Sequence, residues 1–97
     1  MTNSRFIDIN GRRVGKGYPT YIIAEISANH NGSYEKAVRL IEHCSDAGVD
    51  AIKLQTYTPD TLTLNVDTDM FMVKGDNLWT NRSLYDLYSE AQTPWEW

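Results

Sequence analysis

The chain has 97 residues, 41% hydrophobic and 23% charged, with Lys+Arg 9 against Asp+Glu 13 and a net charge of −4. This describes at most one soluble domain, disfavours a general nucleic-acid surface, and with one cysteine excludes an internal disulfide or a thiolate zinc cage. No stretch approaches the roughly 18 apolar residues of a membrane helix and no apolar signal region follows Met1, so a cytoplasmic protein with no nucleic-acid and no membrane partner is expected.

Phe6 to Ile9 alternates in polarity, Asn10-Gly11 tolerates positive φ, and Arg12-Arg13-Val14 resumes the pattern, which predicts a short β-hairpin. Gly15, Gly17 and Pro19 interrupt it, making residues 1–20 a hairpin and lead-in. Tyr21 to Ile26 is a nearly continuous apolar run, the pattern of a strand in a parallel sheet. A polar turn, Ser27 to Gly32, leads to Ser33 as N-cap of a helix whose Ala37, Leu40, Ile41, Cys44 and Ala47 follow helical spacing, with Gly48 as left-handed C-cap. Ala51 to Thr56 reads as a second strand. Strand, helix and strand at this length predict a right-handed βαβ unit.

The connection from Tyr57 to Thr80 has no sustained period and is long enough to suggest a functional βα loop, with Lys74-Gly75 as a further candidate cation or simply a solvated lysine. Ser83 then caps a second helix with Asp86 three residues on and Leu84, Leu87, Tyr88 and Ala91 as its buried stripe. Thr93-Pro94-Trp95-Glu96 has the form of a third helix start, with little expected to cover Trp95 and Trp97. The sequons at Asn31 and Asn81 read as turn and capping residues rather than glycan sites. Cys44 falls on an apolar stripe, and His43 beside Glu42 on a solvated face.

Strand alternation places Tyr21, Ile23 and Glu25 on one face, with Ala51, Lys53 and Gln55 beside them; Ile22, Ala24, Ile26, Ile52, Leu54 and Thr56 face the helix layer. An acid, a cation and an amide thus converge near the strands' C-terminal ends, where parallel α/β folds bind ligands. Two readings follow: a structural Glu25–Lys53 ion pair with Gln55 bridging to backbone, or an anion site in which Lys53 neutralises a carboxylate or phosphate. Asn29 and His30 lie on the turn after the first strand, His30 as either a substrate contact or a hydrogen-bonded loop residue.

The run Ile22 to Ser33, followed by Asp50-Ala51-Ile52-Lys53-Leu54-Gln55-Thr56-Tyr57-Thr58-Pro59-Asp60, resembles the N-terminal part of the sialic acid synthase family. Thr61-Leu62-Thr63-Leu64, Val73-Lys74-Gly75, Leu78-Trp79, Leu84 to Tyr88 and Thr93 to Trp97 extend the resemblance over nearly the whole chain from Tyr21 onward. It implies an α/β fold, the N-terminal portion of a (β/α)8 TIM barrel, with residues 21–97 an incomplete part of that barrel and inactive alone. It further implies condensation of phosphoenolpyruvate with a 2,4-diacetamido-2,4,6-trideoxy sugar, or with the sugar precursor of another sialic acid, giving a nonulosonic acid and phosphate in carbohydrate biosynthesis.

By the same resemblance, family enzymes are homodimers and use a divalent metal, manganese or magnesium, that polarises the sugar aldehyde and whose ligands lie outside this chain. Lys53 matches a phosphoenolpyruvate-binding lysine, Gln55 an amide near the sugar, and Glu25 an acidic residue that orients substrate or assists proton transfer. Asn29 and His30 belong to the same substrate-binding motif. From another class, a non-catalytic module that binds an anion or a partner chain is the alternative.

Overall fold

The computed structural model describes residues 5–77 and 80–97. Strands β1 (Phe6–Ile9) and β2 (Arg12–Gly15) form the expected antiparallel hairpin, with Ile9 opposite Arg12 and Phe6 opposite Gly15. Its turn uses Asn10 at φ 51° and Gly11 at φ 84°, and the Gly11 N–H donates to Asp8 Oδ1 at 2.7 Å. Paired positive-φ residues match the strand twist, so the hairpin is a local product of Asn-Gly.

Strand β3 (Ile23–Glu25), helix α1 (Tyr34–Asp46) and strand β4 (Ala51–Lys53) make the βαβ unit. The strands are parallel, with Ile23 opposite Ala51, Ala24 opposite Ile52 and Glu25 opposite Lys53. Both are shorter than the apolar runs that predicted them. At β3 the ladder ends where Ser27 adopts φ 48°, a left-handed conformation that redirects the chain.

Ser33 caps α1 as expected, its Oγ accepting from Lys36 N, and Gly48 follows the helix at φ 85°. Helix α2 (Leu84–Ala91) is capped by Ser83, which accepts from Asp86 N. Asn31 (φ 49°) and Asn81 (φ 69°) are turn residues, in keeping with the reading of both sequons. His43 is exposed; Cys44 is only half-buried and Ala47 is exposed, so the apolar stripe of α1 is covered less than its spacing predicts.

The long connection is built from short pieces: single 3-10 turns at Pro59–Thr61 and Asp69–Phe71, then a β-bridge between Met72 and Ser83. Lys74 is exposed within it. The Leu78-Trp79 motif lies outside the described residues.

One expectation, the third helix, fails at the C-terminal segment. Thr93 to Trp97 forms a turn closed by Trp97 N–H to Pro94 O at 3.2 Å, with no helix. Trp97 is only partly covered: its ring lies 5.1 Å from His30 and 5.7 Å from Tyr34 between centroids but it remains 39% exposed, and Trp95 is 73% exposed, so little covers either, as expected. Proline disfavours helical geometry at the residue before it, so Thr93 lies outside any helix and its backbone N–H turns to another segment for a partner.

The described residues enclose little core. Ile26, Ala37, Pro59 and Ala91 are the buried apolar residues among them, while Ile22, Ile23, Leu54, Leu62 and Leu64 are each more than 40% exposed. Ile22 and Leu54, expected under the helix layer, are therefore incompletely covered. The radius of gyration is 18.2 Å, against about 13 Å for a compact chain of about 100 residues. No helix among the described residues is long and apolar enough to cross a membrane.

Candidate functional site at the C-terminal ends of the parallel strands

The parallel ladder sets Glu25 beside Lys53, and the last bond between the strands runs from Ile26 N–H to the Lys53 carbonyl at 3.4 Å. The Glu25–Lys53 ion pair does not form. Among the described residues the acid is held instead by Gln55, whose Nε2 donates to Glu25 Oε1 at 2.9 Å. Gln55 sits two positions beyond Lys53 on the same face, a diagonal neighbour within reach of a long side chain. Lys53 is exposed, so its ammonium is available to an incoming anion without first giving up a carboxylate.

Three successive turns carry the chain from β3 into α1: Asn29 N–H to Ile26 O, Asn31 N–H to Ala28 O and Ser33 N–H to His30 O, each at 3.0 Å. They turn His30 inward, where it is fully buried. Its Nδ1 accepts from the Gly32 N–H at 3.0 Å, so the neutral ring carries its proton on Nε2, which donates to Thr93 Oγ1 at 3.2 Å. Burial lowers the His30 pKa below its ordinary 6.5, favouring the neutral ring. Of the two readings left open for this histidine, the geometry is that of a hydrogen-bonded residue. Asn29 goes elsewhere: it is exposed and lines an open groove of about 350 Å³ with Lys36, Arg39, Leu40 and His43 of α1.

The sequence reading missed Thr93. Its side chain is 2% exposed, its hydroxyl meets His30, and its backbone N–H donates to the Gln55 carbonyl at 2.8 Å. The available signal was the Thr-Pro pair, which favours an extended residue with an unspent N–H as much as a helix cap. Beside Thr93, a smaller apolar groove of about 120 Å³ runs between Tyr34, Ala37, Val38 and Ile41 of α1, Leu54 and Trp97.

The strands' opposite ends are held differently. Arg12 of the hairpin pairs with Asp50, donates to the Thr20 carbonyl at 3.2 Å and lies 5.4 Å over the Tyr21 ring, while Asp50 Oδ2 accepts the Ile22 N–H at 2.8 Å.

No three His, Cys, Asp or Glu side chains among the described residues come together as a metal-holding group. The residues present therefore do not fit the divalent metal that the resemblance implies, and no chemical step is routed through one.

Comparison with known proteins agrees with the resemblance. The chain is 58% identical over 77 residues to a pseudaminic acid synthase of Campylobacter jejuni, covering 79% of this chain and 22% of that protein. It is 46% identical over 79 residues to the pseudaminic acid synthase of Helicobacter pylori, covering 81% of this chain and 23% of that protein. Similarity to the N,N'-diacetyllegionaminic acid synthase of Legionella pneumophila is 42% over 55 residues, covering 56% of this chain and 15% of that protein. The chain thus spans less than a quarter of the length of these relatives. The sequence profile of the NeuB family matches residues 40–97, more than half of the chain, and the chain belongs to the NeuB family.

Proposed function

We propose that this chain forms the opening βαβ portion of a pseudaminic acid synthase, an enzyme that joins phosphoenolpyruvate to 2,4-diacetamido-2,4,6-trideoxy-altrose. The observation that carries the reading is the 58% identity to a protein of that name over 79% of the chain. The geometry supports it, because an acid, an amide and an exposed ammonium that is unpaired among the described residues stand together at the C-terminal ends of parallel strands, where a (β/α)8 barrel places its chemistry. On this reading residues 21–97 are part of the barrel and residues 1–20 its hairpin and lead-in. The working enzyme is a cytoplasmic homodimer, with its divalent metal held by residues outside this chain.

In the proposed reaction C3 of phosphoenolpyruvate bonds to the aldehyde carbon of the open-chain sugar, whose oxygen takes up a proton. Water adds at C2, and cleavage of the C2–O bond releases phosphate and leaves the 2-keto acid. Lys53 supplies a cation to the carboxylate or phosphate of phosphoenolpyruvate, a point charge on a flexible stem suited to a strongly hydrated anion. Gln55 has one further amide hydrogen for the sugar while its other holds Glu25. Glu25 orients the sugar or assists the proton transfer. Asn29 lies at the rim, and His30 contributes by position rather than by contact.

The alternatives within the family are N-acetylneuraminate and legionaminate synthesis. A phosphate-release assay of a full-length polypeptide carrying this segment separates them: the diacetamido altrose sugar should support turnover at least about tenfold above the other two precursors, the size of a single lost polar contact in a shaped site. Equal or better turnover with either alternative would overturn the choice of sugar, and no turnover with any would overturn the synthase reading.

A further inference from the structure

Gln55 has to present its amide at a defined angle, yet the ladder that would hold its backbone ends at Lys53. Beyond that point the Gln55 carbonyl is held by the N–H of Thr93, 38 residues later in the chain, at 2.8 Å. Thr93 follows α2, whose C-cap Gln92 is extended at φ −63° and ψ 149°, so the helix itself does not fix it. What fixes it is His30, through Nε2 and the Thr93 hydroxyl at 3.2 Å, and His30 is in turn oriented by the Gly32 N–H at 3.0 Å. A single polar path therefore runs from the turn after β3, through His30 and Thr93, to Gln55 and on to the Glu25 carboxylate.

Burial sharpens this path. His30 and Thr93 are the two most completely buried side chains among the described residues, in a chain that covers its apolar residues poorly. Their hydrogen-bonding atoms have no water to fall back on, so breaking the contact leaves two buried polar groups unpaired. Edge contact of the Trp97 ring with His30 closes the same spot. A polar pair kept drier than the surrounding apolar side chains is suited to holding a geometry at the adjacent site.

We propose that Thr93 is a positioning residue: with His30 it sets the orientation of the Gln55 amide, and through it the Glu25 carboxylate, for the sugar substrate. This rests on the synthase reading for the identity of the substrate, but not for the mechanical link. The link predicts a selective effect, since Lys53 stands outside the path and its anion should be bound much as before.

The test uses Thr93→Val, which keeps shape and removes the hydroxyl, and Thr93→Ser, which keeps the hydroxyl, in a full-length NeuB-family polypeptide carrying this segment. Thr93→Val should raise KM for the sugar about tenfold or more while KM for phosphoenolpyruvate changes by less than about twofold, and Thr93→Ser should recover most of the loss. The side-chain amide resonances of Gln55 should shift in Thr93→Val and return in Thr93→Ser. Unchanged sugar kinetics in Thr93→Val, equal rises in both KM values, or no recovery in Thr93→Ser would overturn the proposal. If the unsubstituted protein makes no product, the synthase reading fails, and the positioning claim is decided by the Gln55 resonances: a shift in Thr93→Val supports it and no shift overturns it.

Discussion

The two ends of the β3–β4 sheet are closed by different chemistry. At the N-terminal ends a charged pair, Arg12 and Asp50, ties the hairpin to the sheet, with side chains 37% and 14% exposed. At the C-terminal ends a neutral pair, His30 and Thr93, ties the first loop to the final segment and is almost wholly buried. A partly exposed ion pair is screened by solvent and tolerates movement more than a buried neutral pair, which must be made in one geometry or lost. The stiffer closure stands next to Glu25, Gln55 and Lys53. Rigidity is concentrated where the proposed chemistry needs fixed positions, and the opposite end serves attachment.

The largest effect should come from His30→Ala, which leaves the Gly32 N–H and the Thr93 hydroxyl unpaired and opens a cavity beneath Trp97. Denaturant unfolding of a full-length polypeptide carrying the segment should show a loss of roughly 3 kcal/mol. A loss no larger than that of an exposed substitution would remove the distinction between the two ends.

Asp50→Ala should cost somewhat less, about 2 kcal/mol, because it takes the acceptor from the Ile22 N–H as well as the partner from Arg12. Molar salt should reproduce only the ionic part of that loss, under about 1 kcal/mol, and should leave the His30 end unaffected. Equal salt sensitivity at both ends would contradict the assignment of charge to one and neutrality to the other.

The smallest effect is in pH. Burial depresses the His30 pKa below 6.5, so on acidification the unfolded chain takes up the proton first. The stabilisation due to the neutral ring is complete above about pH 6.5 and declines as pH falls below it. A thermal unfolding series from pH 7.5 to 5 should show this decline, and His30→Gln should flatten it. An unfolding temperature that rises on acidification in the unsubstituted protein but not in His30→Gln would reverse the sign and refute the assignment.

What was legible in the sequence divides along the same line. Ser33, Ser83 and Gly48 act on neighbours within a few residues, and all three are found in their expected roles. The register that places Glu25 beside Lys53 was also legible, since alternation and strand order determine it. Which partner Glu25 takes was not, because both Lys53 and Gln55 share the face and reach along the strands decides between them. The His30–Thr93 contact joins residues 63 apart, and no local pattern encodes it. Thr93-Pro94 carried the wrong suggestion, a helix start, because the same dipeptide also favours an extended strap. The exposed Ile22, Ile23 and Leu54 follow from hydrophobic patterning that the described residues do not satisfy among themselves.

The central claim is that the C-terminal ends of β3 and β4 form a phosphoenolpyruvate-dependent synthase site with Lys53 as its cation. The most direct measurement is phosphate release by a full-length polypeptide carrying this segment, with the diacetamido altrose sugar, comparing the unsubstituted protein with Lys53→Met. The account predicts turnover in the former and, in the latter, kcat/KM for phosphoenolpyruvate reduced by at least about tenfold with little change in unfolding temperature, because Lys53 is exposed and forms no ion pair with Glu25. Equal kcat/KM in the two proteins would contradict it.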